Sequence, residues 1–277
     1  MPHLGLIAGN SRFPLIFAEA AQAQGVTLVV VAHQGETPSE IAALVPDVTW
    51  VRVGELGKII ATFQAAGVTQ AVMAGGIHKA SAQAHFQPDE RGLAFISRLP
   101  SLKDDVILQG VAQELESEGI RVIESTRFLS SLIPQEGVLT TYAPDAQQWE
   151  DIRLGFAVAR EIGRWDIGQS VVVKRGTVVA VEGMEGTNAA IRRGGELGGA
   201  GVVVVKVSKP QQDLRFDVPA VGPDTIAVMH EVRAAALALE AGKTLMLDKL
   251  ALLRTAETHG ISVVALTVAS SPEQTVS

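Results

Sequence analysis

The densest chemistry in the chain lies in one run, Lys206-Val207-Ser208-Lys209-Pro210-Gln211-Gln212-Asp213-Leu214-Arg215-Phe216-Asp217-Val218-Pro219-Ala220-Val221-Gly222. Two lysines, one arginine and two aspartates there lie at the end of and beyond Val202 to Val207, a largely β-branched stretch long enough for a buried strand. Phosphoryl transfer asks for this inventory: cations offset phosphate charge, and a carboxylate holds a metal or orients water. A solvated loop has the same composition. Asp217, however, stands between Phe216 and Val218 with Pro219 two residues on, a setting that holds a side chain in place.

Three other segments carry weaker signals. Glu182-Gly183-Met184-Glu185-Gly186-Thr187-Asn188 is a polar turn between a strand and a helix. Thr187 or Asn188 suits the N-cap, and the free amides of such a turn suit a phosphate or a uracil edge. Lys103-Asp104-Asp105 opens a helix; its acids compensate the helix dipole or, on the functional reading, hold hydrated Mg²⁺. The first loop, Ala8-Gly9-Asn10-Ser11-Arg12-Phe13-Pro14, sits where a Rossmann fold binds phosphate, but Ser11 and Pro14 replace the second and third glycines of GxGxxG. That departure argues against a nicotinamide oxidoreductase. Gly242-Lys243-Thr244 resembles the end of a P-loop, yet its upstream glycine position is Leu237, inside an expected helix.

Composition removes several classes. There is no cysteine, so disulfides, thiolate metal sites and thiol nucleophiles are excluded. No GxSxG elbow occurs, and the six histidines show no HExxH spacing. His78 alone stands out, because it follows Gly75-Gly76 at a strand end. A formal net charge of −7 disfavours nucleic acid as a partner. With 47% hydrophobic and 19% charged residues the chain is a folded protein, and no apolar run reaches the roughly 18–20 residues of a membrane span. Without a basic leader, a cytoplasmic location is expected.

The elements that must position these residues alternate. Strands are expected at Leu4 to Ala8, Val26 to Ala32, Val48 to Val53, Gln70 to Ala74 and Ile120 to Glu124. Helices are expected from Pro14 to Gly25, Glu55 to Ala66 and Leu102 to Glu118. That is an α/β pattern with a parallel, doubly wound sheet. Pro134 to Gly137 and Ala143 to Asp145 read as a linker, giving a Rossmann-like N-terminal domain over 1–133 and a distinct α/β domain over 134–277. In the second half a helix is expected over Asp151 to Arg164, and a hairpin turns at Arg175-Gly176 between Ser170 to Lys174 and Thr177 to Glu182. A long helix is expected over Thr225 to Ala241, then a strand at Thr244 to Leu247, a helix at Lys249 to His259 and a strand at Ile261 to Leu266. The tail Ser270 to Ser277 is expected to fray.

Several segments, in order, resemble the LpxI family of UDP-2,3-diacylglucosamine pyrophosphatases. They are Leu6-Ile7-Ala8-Gly9 with Pro14, Gly54-Glu55-Leu56-Gly57-Lys58, and Ala74-Gly75 with Lys103-Asp104-Asp105. The second half adds Ala159 to Arg164, Asp166-Ile167-Gly168-Gln169, Val181-Glu182 with Glu185-Gly186-Thr187, and the run Lys206 to Gly222. Ser11, Phe13 and Asn188 depart from the family pattern. The resemblance implies Mg²⁺-assisted hydrolysis to UMP and 2,3-diacylglucosamine 1-phosphate (lipid X), a homodimer, ligand held between two domains, and peripheral contact with the inner face of the cytoplasmic membrane. It makes Asp217 the critical carboxylate, for metal binding or water activation. Arg215 and Lys206 become phosphate contacts, and Asp104 and Asp105 further metal ligands. It carries substrate contacts onto Gly9, Asn10, Gly75, Gly76, Lys103, Thr126, Gln169, Glu185, Gly186, Thr187 and Gln212. The apolar turn of Phe128-Leu129 and Leu132-Ile133 is one expected wall for the acyl chains, or else core. A lipid- or nucleotide-binding carrier without catalysis is the alternative; it would not depend on Mg²⁺ or Asp217.

Overall fold

The computed structural model describes residues 3–78, 86–215 and 217–268. Phe216 and the tail expected to fray lie outside them. The chain forms two compact units, one of Met1–Leu129 with Leu214–Phe216, the other of Ser130–Asp213 with Asp217–Ser277.

The first unit is built on β1 (Leu4–Ala8), β2 (Leu28–His33), β3 (Val48–Val51), β4 (Gln70–Ala74) and β5 (Arg121–Val122), all parallel in the order β3-β2-β1-β4-β5. Five of its helices are α1 (Phe13–Ala23), α2 (Ile41–Leu44), α3 (Leu56–Ala65), α4 (Glu90–Arg98) and α5 (Asp104–Ser117). Every residue of β1 is buried, as a central parallel strand with helices on both faces requires. Strand order reverses between β1 and β4, so their C-terminal ends, Ala8-Gly9 and Ala74-Gly75, border the crevice that open α/β sheets offer to ligands. Of the apolar turn expected as an acyl wall or as core, Leu129 is buried and Phe128, half-buried, packs edge-to-face on Phe17 at 5.8 Å, while Leu132 and Ile133, in the second unit, are half-buried.

The second unit holds a six-stranded mixed sheet in the order β6-β13-β11-β9-β7-β8. Its strands are β6 (Gly137–Val138), β7 (Ser170–Lys174), β8 (Thr177–Val181), β9 (Val203–Lys206), β11 (Ala236–Glu240) and β13 (Ser262–Leu266). A separate parallel pair joins β10 (Ala220–Val221) to β12 (Leu245–Met246). The helices are α6 (Ala146–Arg164), α7 (Thr187–Gly198), α8 (Pro223–Glu231) and α9 (Lys249–Thr258). Alternation along the strands divides the core. Val171, Val173, Val203, Val205, Ala236 and Ala238 face Ile152 and Phe156 of α6. Val172, Val204, Leu237, Leu239 and Val263 pack with Ile191, Ile226 and Leu252 of the other helices.

The hairpin expected at Arg175-Gly176 is present, and its anchor is Asp151 of α6. Asp151 is buried, and its two carboxylate oxygens accept the N–H groups of Arg175 (2.9 Å) and Gly176 (2.6 Å). Asp151→Ala is expected to destabilise the unit by about 1–2 kcal/mol in denaturant unfolding, because water reaches the exposed turn and partly replaces the lost acceptor.

The long helix expected over Thr225 to Ala241 is wrong. α8 ends at Glu231, the chain turns through Arg233 at φ 54°, and Ala236 to Glu240 form a fully buried strand between β9 and β13. Alanine and leucine favour helix in isolation. Here the large-small alternation places leucine on one face of the sheet and alanine beneath α6, and burial on both faces overrides propensity. Gly242 and Lys243 therefore follow a strand and do not close a helix. The expected linker also carries structure, since β6 pairs antiparallel with β13.

Candidate active site

The second unit gathers its chemistry around the end of β9. Lys206 is that strand's last residue and is buried. Its Nζ donates to Thr187 Oγ1 (3.0 Å) and to the Ala220 carbonyl (2.9 Å). Thr187 in turn donates to Glu182 Oε1 at 2.8 Å, and the other Glu182 oxygen accepts Gln169 N–H at 3.3 Å. Burial lowers the Lys206 pKa from its ordinary range, while the carboxylates of Glu182 and Asp217 pull it back up. The two nearby carboxylates thus oppose the effect of burial on the lysine. Glu185, Gly186, Thr187, Asn188, Lys206, Ala220 and Thr225 line an open cleft of about 380 Å³ beside it.

The turn before α7 shows why its residues stand there. Gly186, not Thr187 or Asn188, is the N-cap, at φ 81°, a left-handed conformation that favours glycine. Thr187 becomes the first helical residue, which frees its hydroxyl for the Glu182–Lys206 bridge. Glu185 pairs with Arg193 and accepts Gly183 N–H; its own amide, then that arginine, hold its carboxyl below the usual range.

Asp217 is exposed, and its Oδ2 accepts Gln212 Nε2–H at 2.6 Å. Arg215 groups instead with the first unit, where its guanidinium pairs with Glu116 of α5 at 3.2 Å. With Arg121, Arg127 and Glu124 it lines a depression of about 340 Å³. Lys103 is the N-cap of α5, and Asp104 and Asp105 form its first turn, the dipole-compensating placement. Thr126 lies in the turn after β5, where its carbonyl accepts Leu129 N–H at 2.8 Å. Among the described residues no three His, Asp or Glu side chains converge as a metal-holding group.

In the first unit, the glycines at the crevice are explained by one another. A Cβ on Gly9 would lie 2.3 Å from the Gly76 carbonyl oxygen, and one on Gly75 2.3 Å from that of Asn10. Two loops therefore meet backbone to backbone, tied by Gly9 N–H to Ala74 O (2.8 Å) and Asn10 N–H to Gly76 O (2.7 Å). Gly9→Ala is expected to cost about 1–3 kcal/mol in denaturant unfolding, since backbone must move to admit the methyl. Asn10 Oδ1 accepts Gly76 N–H at 3.2 Å, which turns its Nδ2 toward Glu36 (3.3 Å) and His78 (3.1 Å). Glu36 Oε2 also lies 3.0 Å from His78 N and 2.9 Å from His78 Nδ1. His33 places Nδ1 2.9 Å from the Ala8 carbonyl, which puts the proton on that nitrogen, and burial lowers its pKa.

Sequence reasoning missed Glu36 and Glu182 as site residues. The signal for Glu182 was an acid ending a strand five residues before a threonine. Glu36 gave none, because its partners are 26 and 42 residues away.

A Rossmann-like parallel unit, joined to a mixed-sheet unit with a lysine–carboxylate centre at a strand end, defines a two-unit α/β protein. The LpxI N-terminal domain model matches residues 3–132 and the LpxI C-terminal domain model residues 135–264. The chain belongs to the LpxI family, as the sequence resemblance implied. It is 34% identical to the UDP-2,3-diacylglucosamine pyrophosphatase LpxI of Caulobacter vibrioides, over 96% of this chain and 98% of that one. Among solved structures, CobK precorrin-6A reductase is similar at a TM-score of 0.32 and 12% identity, over 96% of this chain and 88% of the other.

Proposed function

We propose that this protein hydrolyses the pyrophosphate bond of UDP-2,3-diacylglucosamine, releasing UMP and 2,3-diacylglucosamine 1-phosphate (lipid X) in lipid A biosynthesis. The observation that carries this reading is end-to-end similarity, across both units, to a relative that bears that activity in its name. The chemistry of the β9 end agrees with it. Water must approach a phosphorus flanked by anionic oxygens, so the site needs cations and a carboxylate. Lys206, in the field of Glu182 and Asp217, offsets phosphate charge; Asp217 orients water and takes its proton as the P–O bond to the leaving phosphate breaks. Arg215 contacts phosphate from its own segment.

Mg²⁺ belongs to this reading. The donors suit it: the ion binds through one or two carboxylates together with substrate phosphates. The Lys206 ammonium already sits among the oxygens of Thr187 and Ala220. Asp217, exposed, would therefore hold the ion together with substrate phosphate, while Asp104 and Asp105, which open a helix of the other unit, serve that helix's dipole. When bound, Mg²⁺ lowers the charge on phosphate oxygens and acidifies a bound water.

We further take the protein to be a cytoplasmic homodimer that touches the membrane carrying its diacylated substrate. No described helix is long and apolar enough to cross a bilayer. Mass spectrometry of the products is the test. UMP together with a diacylated sugar 1-phosphate is expected; UDP with free diacylglucosamine would overturn the assignment of the bond broken.

A further inference from the structure

We propose that Glu240 and Gln212 are positioning residues, the anchor and the link of a hydrogen-bond chain that sets the direction of the Asp217 carboxylate; this rests on the pyrophosphatase reading. Glu240 ends β11, the strand at the centre of the sheet between β9 and β13, and it is 1% exposed. A carboxylate in that position needs strong partners. Its Oε2 accepts the backbone N–H of Ser208 at 2.8 Å, and its Oε1 lies 2.9 Å from Lys243 Nζ and 3.8 Å from Arg160 Nη1. Ser208, also buried, follows β9 by two residues, so Glu240 fixes where the Lys206–Gly222 segment leaves the sheet.

The chain continues outward. Gln212 Oε1 accepts both Ser208 Oγ–H (3.0 Å) and Lys209 N–H (2.9 Å). A backbone N–H can only donate, so the amide oxygen must face it and the amide nitrogen must face the other way. That nitrogen donates to Asp217 Oδ2 at 2.6 Å. The segment is pinned independently by Asp217 N–H to Asp213 O (3.1 Å), by Gln211 Nε2 to the Gly163 carbonyl (2.8 Å) and by Lys209 Nζ to Asp166 (2.5 Å). Gln212 is therefore the link between a rigid buried acid and an exposed carboxylate that must point at water. The family resemblance gave Gln212 a substrate contact. The geometry instead points it at Asp217, and Glu240 had no role before.

Two variants at Gln212 separate anchoring from positioning. Gln212→Glu keeps an oxygen for Ser208 and Lys209 but cannot donate to Asp217. Gln212→Met, of similar length, loses every bond. Kinetics of UMP release from UDP-2,3-diacylglucosamine should show kcat lowered roughly 10- to 100-fold in both variants, with KM within about threefold of the parent. Near-parental kcat in Gln212→Glu, or a loss confined to KM, would overturn the proposal. At the other end, Glu240→Gln retains an acceptor for Ser208 and should keep kcat within about threefold, whereas Glu240→Leu should fall with the Gln212 pair; equal losses in the two Glu240 variants would remove Glu240 from the chain. If the parent protein itself releases no UMP, the pyrophosphatase reading fails alone. The chain is then judged by amide hydrogen exchange. Faster exchange at Lys209 in Gln212→Met but not in Gln212→Glu supports it, and parental exchange in both overturns it.

Discussion

Replacing Asp217 by asparagine is expected to lower turnover by roughly 10³-fold, the order that a water-orienting or proton-accepting carboxylate contributes. Asparagine is the informative substitution. Its amide oxygen can still accept the Gln212 N–H, so the local bonding survives while the negative charge is lost. Asp217 is exposed, and stability should change by no more than about 0.5 kcal/mol. Steady-state UMP release together with thermal unfolding checks both halves. A variant that keeps its unfolding midpoint and most of its turnover would remove Asp217 from the mechanism. The loss should appear in kcat/KM, because the carboxylate acts on water and also holds the ion that meets the substrate phosphates.

Lys206→Met should be nearly as damaging, by roughly 10²–10³-fold in kcat/KM, for a different reason. The ammonium donates to Thr187 and to the Ala220 carbonyl, and it sits in the field of Glu182 and Asp217. Removing it leaves those acceptors short of a donor and adds uncompensated negative charge beside an anionic substrate. Stability should fall as well, by about 1–2 kcal/mol for the half-buried acceptors left unpaired. Lys206→Arg should fail to rescue, since a planar guanidinium does not fit a point-charge position between a hydroxyl and a carbonyl. Full turnover in Lys206→Arg would show that the site asks only for a nearby positive charge. Loss of stability without loss of turnover in Lys206→Met would make the lysine purely structural.

How far these residues could be read from sequence depends on the distance over which their partners lie. The parallel sheet of the first unit was legible, because Leu4 to Ala8 and Gln70 to Ala74 are short apolar runs closed by glycine, each a local signal. The hairpin at Arg175-Gly176 was legible for the same reason. Residues 236–240 were not. Their alanines and leucines carry helical propensity, and only the neighbours β9 and β13, about 26 to 33 residues away in sequence, make them a strand. The error hid Glu240, which in a helix would have been one more surface acid. Asp217 and Lys206 stood out as candidates from composition alone; the bonds by which the Thr187 hydroxyl and Glu182 hold the lysine did not, since they come from a turn about 20 residues earlier. Gly9 and Gly75 read as ligand-facing glycines, and part of their reason is that each leaves room for the backbone of the other's loop.

The central claim is most directly tested by incubating the purified protein with UDP-2,3-diacylglucosamine, in Mg²⁺ or in EDTA, and following UMP. The expected result is UMP released in Mg²⁺, abolished by EDTA and restored when Mg²⁺ is returned. Tight retention of the lipid with no UMP under any of these conditions would contradict the claim and leave a carrier in its place.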